Sequence, residues 1–405
     1  IYTLSLHDAL PICVSASWEL ITVRPDDQVG EALVLMQRHG VHRVVVQDDG
    51  KILGLLESLD LFGFLSNHSM LIDRRLRAAT DLDALARAAA QMNDMIRRQY
   101  RGGTRVALLA RLVQDLNGRL FEQAWQLIAP PELVQNSCLL VMGSEGRGEQ
   151  LLKTDQDNAL LLRDGYVPPD DLPAICARFS EALARFGYPP CPGNVMLSNA
   201  IWRGTVQDFA RRVRKWLVLP EADSLINLAV FMDAHAVCGD AELLASLRRQ
   251  VFGMLADDDA MMSRFAAVVD AFGDGTRWWR RMLGGGEANL NLKKAGMFPL
   301  VHGVRSMALA ERIDATSTEA RIRALQEAGA LDAETAQELT ESLHFFMGLR
   351  LKAGLDEMDR GQPVSGKVDL AGLTPLERDL LKDALAAVRR FRAQLRLRFR
   401  LGAVS

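Results

Sequence analysis

The chain has few cysteines and none of them in motif pairs. Five (Cys13, Cys138, Cys176, Cys191 and Cys238) are scattered through 405 residues without a Cys-x-x-Cys spacing. That argues against a disulfide framework or a zinc site and predicts reduced thiols in a cytoplasm. The seven histidines form no ligand-spaced pair. No uninterrupted apolar run approaches the roughly 20 residues that cross a bilayer, so no membrane partner is expected. An excess of charge of one sign is missing too: 48 Lys and Arg stand against 51 Asp and Glu, a net charge of −3. Wholesale nucleic-acid binding, which normally needs a basic surface, is therefore not expected. An initiating methionine is also lacking, and Ser5-Leu6-His7-Asp8-Ala9-Leu10-Pro11 has neither the basic start nor the long apolar core of a signal peptide. It resembles translated sequencing-adapter read-through. Residues 1–17 are accordingly expected to be a non-native or disordered leader on a chain truncated upstream.

What is present is a polar motif between two apolar runs. Cys138-Leu139-Leu140-Val141-Met142 suits a buried strand, and Gly143-Ser144-Glu145-Gly146-Arg147-Gly148-Glu149-Gln150 follows it. Glycine permits close backbone approach, and the Ser144 hydroxyl with freed amides can bond phosphate oxygens. A helix starting here would favour an anion at its N-terminus, and Arg147 would add a planar, permanently charged donor for a triphosphate. Lys153-Thr154-Asp155-Gln156-Asp157 then leads into Ala159-Leu160-Leu161-Leu162. Side chains two apart on a strand share a face, so Asp155 and Asp157 can point at one spot. Two hard oxygen ligands there suit magnesium, with substrate phosphates completing its shell. No Gly-Lys-Ser/Thr follows the glycines, which excludes a P-loop, and their spacing is not the dinucleotide fingerprint.

Gly143 to Glu149 with Thr154-Asp155-Gln156-Asp157 resembles the DNA polymerase β-type nucleotidyltransferase superfamily. The closer resemblance is to the branch related to the uridylyltransferase of the nitrogen-regulatory PII protein, and within it to the DUF294 nucleotidyltransferases. Cys191-Pro192-Gly193-Asn194-Val195-Met196 with Asn199, Trp202 and Arg203 resembles the DUF294 continuation, as does Asn291-Leu292-Lys293-Lys294-Ala295-Gly296 with Arg305. The resemblance covers roughly residues 70–400. It implies that Gly143, Ser144, Arg147 and Lys153 serve the nucleotide, that Asp155 and Asp157 bind Mg²⁺ or Mn²⁺, and that an NTP is the substrate. Lys293, Lys294 and Arg305 would face the triphosphate from a substrate-binding domain. Superfamily members usually supply a third carboxylate from a later strand, but residues 186–199 contain no Asp or Glu. Glu149 or Asp208 would have to substitute, and neither spacing demands it.

Residues 18–67 resemble a CBS motif, from Val23-Arg24-Pro25 to Gly54-Leu55-Leu56-Glu57-Ser58-Leu59-Asp60. Their two β-rich runs around Asp48-Asp49-Gly50 read as a hairpin. Such motifs pair, which implies a homodimer, and often bind adenine nucleotides. Asp60 matches the position that commonly contacts ribose, whereas Glu57 stands where Thr or Ser is usual. Residues 68–129 are expected to be helical, with Leu108, Leu112 and Leu116 on the buried face and Asp81 as a cap. A transferase core is expected over 130–220, with Cys191 in a rigid Pro-rich loop, and a helical substrate-binding bundle over 221–405. Gly284-Gly285-Gly286 is a candidate hinge there, and the arginine-rich C-terminus is expected to be an amphipathic helix with a charged outer face.

The expected fold class is α+β and predominantly helical: a small CBS α/β unit, a polymerase β-like core with a short mixed sheet, and a C-terminal helical bundle. The expected activity is transfer of NMP from an NTP to a hydroxyl acceptor, which by resemblance would be a PII-like protein. Two alternatives stay open at this point: a degenerate transferase that only senses nucleotides, and a scaffold.

Overall fold

A computed structural model describes residues 20–27, 29–57, 69–218, 224–255, 259–270 and 289–401. It is predominantly helical with small mixed sheets. The leader, Asp60 and Gly284-Gly285-Gly286 lie outside the described residues.

The N-terminal unit has three strands and a helix: β1 (Thr22–Val23), α1 (Val29–His39), β2 (Arg43–Asp48) and β3 (Lys51–Glu57). β1 runs parallel to β2, and β2 pairs antiparallel with β3. The hairpin turns on Asp49 (φ 43°) and Gly50 (φ 81°). Two successive positive φ angles match the right-handed twist of the flanking strands. Glu57 closes the hairpin with an ion pair to Arg43 at 2.8 Å. The unit's core is small, built on Val23, Ala32, Met36 and Val44, while Ile52, Leu53 and Leu55 of β3 are exposed.

The described residues from 69 to 401 share one continuous hydrophobic core. Two long helices, α2 (Leu82–Arg101) and α3 (Val106–Ile128), pack on each other, and α3 also packs on the central sheet. Asp81 caps α2, accepting from the Ala84 amide at 2.7 Å. The helical expectation for 106–128 holds, but the buried stripe of α3 is Leu109, Val113, Leu116, Leu120 and Ala124, with Leu108 exposed. Of the expected face, Leu116 is buried and Leu112 half-buried, and the stripe broadens away from Leu108 because α3 packs both α2 and α4 (Leu172–Arg185).

The central sheet has strand order β6-β5-β4-β7, from β4 (Ser137–Val141), β5 (Asn158–Leu162), β6 (Arg203–Thr205) and β7 (His235–Gly239). β4 is antiparallel to both β5 and β7, and β5 is parallel to β6. β4 and β5 are buried at every position. β7 corrects the expectation of helix alone beyond residue 220. It is only five residues long and half-buried, too short and mixed to read as a strand locally.

Helices α5 (Val206–Val218), α6 (Ser224–Phe231), α7 (Ala241–Leu255) and α8 (Asp259–Ala267) surround the sheet's β6 and β7 sides and lead onward. The C-terminal bundle comprises α9 (Phe298–Ala310), α10 (Thr318–Glu327), α11 (Ala333–Asp359) and α12 (Pro375–Arg398), with a small ladder of β8 (Asn289–Leu290) and β9 (Val368–Asp369). α12 is amphipathic as expected. It buries Phe391 and Leu395, and its arginines reach carboxylates: Arg392 and Arg396 to Asp270, Arg398 to Glu311, and Arg390 to Glu338. No helix among the described residues is long and apolar enough to cross a membrane.

Candidate active site

β4 carries the chain directly into the Gly-Ser turn. The Met142 amide donates to the Asp157 carbonyl at 2.9 Å, which sets the turn beside the aspartate. Gly143 has φ +57°, and a Cβ added there would collide with the Asp157 carboxylate. Glycine therefore meets two demands at once, a left-handed backbone and close approach of the Asp157 carboxylate. The helix expected here is a single turn, Gly143–Gly146, so the N-terminal dipole of a long helix is not available. Ser144 Oγ donates to Gln150 Oε1 at 3.1 Å. Gly143→Ala is expected to cost about 1–2 kcal/mol through φ alone. Because it also displaces Asp157, metal affinity measured by calorimetry should fall at least ~10-fold. Unchanged metal affinity would show that the close approach is incidental.

Asp155 and Asp157 sit on one side of the extended segment entering β5. Between and after them, Gln156 and Asn158 point inward and are buried. Gln156 Nε2 donates to the Ser180 and Tyr188 carbonyls at 3.1 Å, and Asn158 Oδ1 accepts from the Leu197 amide at 2.9 Å. These bonds, with a parallel bridge from Gln156 to Pro190, clamp the Pro-rich loop beside the aspartates. Cys191 is thereby delivered to the site. The ligand atoms of Asp155, Asp157 and Cys191 lie within 4.8 Å of one another.

Burial, reinforced by the neighbouring Asp155, pushes the Asp157 carboxyl up to about 6, while a hydrogen bond from Cys191 opposes the shift. Burial and Asp157 push the Cys191 thiol up to about 11. At neutral pH it is a thiol and a poor base. Two converging carboxylates, one of them held in a desolvated place, suit a hard divalent cation such as magnesium or manganese. A thiol is the softer donor and the least suited of the three.

Neither acid expected as a substitute third carboxylate faces this pair with a free group. Glu149 pairs with Arg147 at 2.7 Å and accepts from the Thr318 amide at 3.0 Å. Asp208 accepts from the Thr205 amide at 2.9 Å and pairs with Arg211, holding the start of α5. The side chain presented from the Pro-rich loop is Cys191.

Asp155 opens onto a cleft of about 830 Å³ that Lys153, Lys293 and Arg350 also line. Lys153 donates to the Ala89 carbonyl at 2.6 Å and lies over the Tyr188 ring, and burial pushes its ammonium down to about 8. Lys293 begins a π-helical turn, Lys293–Met297, and is close enough to Asp157 to oppose the rise in its pKa. Lys294 is exposed and is not among the residues lining the cleft. Trp202 is buried against Trp216, and Arg203 donates to the Leu197 and Ser198 carbonyls, so both shape the loop rather than face the cleft.

Two expected phosphate contacts are placed elsewhere. Arg147 and Arg305 are buried and converge with Arg321 on the carboxylate of Asp233, which is fully buried. Arg147 Nη1 donates to Asp233 Oδ2 at 2.6 Å, Arg321 Nη1 to Oδ1 at 2.7 Å, and Arg305 engages both oxygens. A carboxylate without water needs this compensation, and the two arginines expected at the triphosphate supply it. The Gly-Ser turn is held on a second side by Glu145. This buried carboxyl accepts from Asn117 Nδ2 at 2.9 Å, and Asn117 Oδ1 in turn accepts from the Tyr188 hydroxyl at 2.5 Å. Burial pushes Glu145 up to about 8, so it is largely protonated at neutral pH.

A short mixed sheet, a Gly-Ser turn and an Asp-x-Asp pair at a cleft faced by a helical bundle define a nucleotidyltransferase-type domain. Comparison with protein families gives the particular one. Residues 90–223 match the family described as "Putative nucleotidyltransferase DUF294", and residues 259–399 match its "Putative nucleotidyltransferase substrate binding domain". Residues 14–67 match the CBS domain. The chain is thus a DUF294-family protein with a CBS domain in front. None of the curated proteins compared with it matches. Residues 224–258, which include Asp233 and β7, fall between the two matched family regions.

Proposed function

We propose that the protein transfers NMP from an NTP to a hydroxyl acceptor, releasing pyrophosphate. The observation that carries this reading is the contact of turn and acid: Gly143 lies against the Asp157 carboxylate, whose neighbour Asp155 lines a cleft large enough for a nucleotide. Asp155 and Asp157 would hold Mg²⁺ or Mn²⁺, whose contribution when bound is to polarise phosphoryl oxygen. Gly143 and Ser144 orient the phosphates, and Lys153 and Lys293 offset their charge. The Pro-rich loop, clamped by Gln156 and Asn158, closes one wall. By resemblance, the acceptor is the tyrosine of a PII-like signalling protein. The test is incubation with each α-labelled NTP, Mg²⁺ or Mn²⁺, and candidate acceptor proteins. Label on an acceptor supports transfer, and absence of any metal-dependent NTP binding would sink the reading.

One observation favours a second reading, a nucleotide sensor without turnover. A thiol held protonated, rather than a carboxylate, faces the Asp pair from the later loop. Metal-dependent NTP binding without label transfer across a broad set of acceptors would select it.

The CBS unit is proposed to regulate this site as a homodimer, with an adenine nucleotide as its ligand. The support is β3, which leaves Ile52, Leu53 and Leu55 exposed on a unit with a very small core. Ile52→Asp with Leu55→Asp should reduce the mass measured by light scattering to that of a monomer. An unchanged dimer would place the interface elsewhere.

A further inference from the structure

Arg350 is a partly buried cation, with its Nε fully enclosed, whose guanidinium lacks the ion pair that comparable residues have. Among the described residues, Arg147, Arg305, Arg321 and Arg392 are buried and each reaches a carboxylate. Among the described residues, Arg350, on α11 of the C-terminal bundle, has no carboxylate within ion-pair distance; Asp155 and Glu149 act on it only from farther away. Its Nε has no hydrogen-bond partner, and Nη1 reaches only the weak acceptor Met297 Sδ at 3.4 Å. Leaving a charged donor desolvated and unpaired is costly, so such a group persists where a ligand satisfies it.

Its location states which ligand. Arg350 lines the cleft that Asp155, Lys153 and Lys293 share, and it also lines a smaller adjoining cavity with Ser144, Glu149, Gln150 and Thr154. It therefore stands between the Gly-Ser turn and the Asp pair, facing them from the opposite domain. Arg185 also lines the cleft but pairs with Asp83, and Glu149 in the adjoining cavity pairs with Arg147, which leaves Lys153, Lys293 and Arg350 as three cations against the two carboxylates Asp155 and Asp157. The surplus is one positive charge, and a divalent ion on the carboxylates would raise it to three. A polyphosphate chain carries the matching charge, whereas a neutral or singly charged acceptor group does not. A planar guanidinium also suits phosphate oxygens, which it can engage through two parallel donors.

We infer that Arg350 is the residue through which the C-terminal bundle grips the β- and γ-phosphates of the bound NTP. This rests on the transfer reading above and adds to it. The substrate-binding domain then recognises the leaving pyrophosphate, and nucleotide binding draws α11 onto the Gly-Ser turn. Arg350 takes the place at the phosphates that the sequence suggested for Arg147 and Arg305.

The test is calorimetric titration of the full chain with Mg²⁺ and three probes: α,β-methylene nucleoside triphosphates of the four bases, the corresponding monophosphates, and inorganic tripolyphosphate. Arg350→Met, which keeps the length of the side chain and removes its charge, is expected to weaken triphosphate and tripolyphosphate binding ~10–100-fold. Monophosphate affinity should be unchanged, and Arg350→Lys should recover part of the loss. Without ligand, Arg350→Met should melt no lower than the parent, because it removes an unpaired, partly buried charge. Equal triphosphate binding by parent and Arg350→Met overturns the inference while leaving the transfer reading intact. A lowered melting temperature with equal losses for triphosphate and monophosphate also overturns it, showing a structural arginine. Arg350-dependent tripolyphosphate binding without label transfer to any acceptor would uphold the inference and overturn the transfer reading.

Discussion

Asp157→Asn is expected to abolish label transfer from NTP, by ~10³-fold or more, while making the metal-free protein more stable at alkaline pH. The loss follows from removing a ligand whose cation contributes several kcal/mol to the transition state, at about 1.4 kcal/mol per factor of ten. The gain follows from the carboxyl itself. Burial raises its folded-state pKa to about 6, above the roughly 3.9 of an unfolded aspartate. Between those values the unfolded chain has released its proton and the folded chain has not, so stability falls as pH rises from about 4 to about 6. Above that range the full penalty is in place, and asparagine has none. Asp157→Asn should therefore equal the parent at pH 4 and exceed it by about 3 kcal/mol at pH 8 in chelator. Added Mg²⁺ should stabilise the parent and leave the variant unmoved. Urea midpoints at the two pH values, with and without metal, check all three statements. A variant that is less stable at pH 8 without metal would mean that Asp157 is held by structural contacts rather than kept for a ligand.

The parts of the site that were legible in the sequence are those written in local spacing. Asp155 and Asp157 share a side because strand side chains alternate, and Gln156 and Asn158 occupy the other side for the same reason. The Asp49-Gly50 turn and the Asp81 cap are likewise local. What was not legible depends on partners far away in the chain. Arg147 and Asp233 are 86 residues apart, and Arg321 and Asp233 are 88 apart. An arginine beside a phosphate-binding turn reads as a phosphate ligand until its distant carboxylate is known. Arg350 shows the converse, since nothing in Leu349-Arg350-Leu351 distinguishes it from a solvated arginine on a helix. Only the fold does so, by placing no carboxylate of the described residues at ion-pair distance from it while Asp155 lines the same cleft. The third acid posed a similar problem. Composition showed that residues 186–199 lack Asp and Glu, but the fold was needed to show Cys191 opposite the aspartate pair. For the CBS ligand, Asp60 lies outside the described residues, and Glu57 is engaged with Arg43 across the hairpin.

Asp233→Ala is expected to be the most destabilising single substitution in the chain, at about 3–5 kcal/mol, because it leaves three buried guanidiniums without their shared carboxylate. The three arginines come from different places: Arg147 follows the Gly-Ser turn, Arg305 is on α9, and Arg321 is on α10. Asp233 precedes β7, the strand that pairs with β4, and its carbonyl lies so close to Gly146 that a Cβ there would clash. One residue thus ties the turn, the sheet edge and the C-terminal bundle together. Glu149 offsets part of the excess positive charge through Arg147, but only at one of the three. Burying hydrophobic surface cannot rescue the loss while the arginines remain, so Asp233→Leu should fare no better than alanine. The surrounding arginines hold the Asp233 carboxyl well below the usual carboxylate range, despite its burial. A depressed folded-state pKa contributes stability that is fully present above the unfolded value of about 3.9 and is lost as pH falls below it. The parent should lose stability steeply below about pH 4, and Asp233→Asn should be weak at pH 7 but show a shallower acid slope. Folded Asp233→Asn should also bind NTP more weakly, since Arg147 no longer anchors the turn that carries Ser144. Chemical denaturation at pH 7 and pH 3 measures the stability terms. A loss under about 0.5 kcal/mol for Asp233→Ala, the range of an ordinary surface substitution, would show that the arginines find other partners and that turn and bundle are not coupled through this carboxylate.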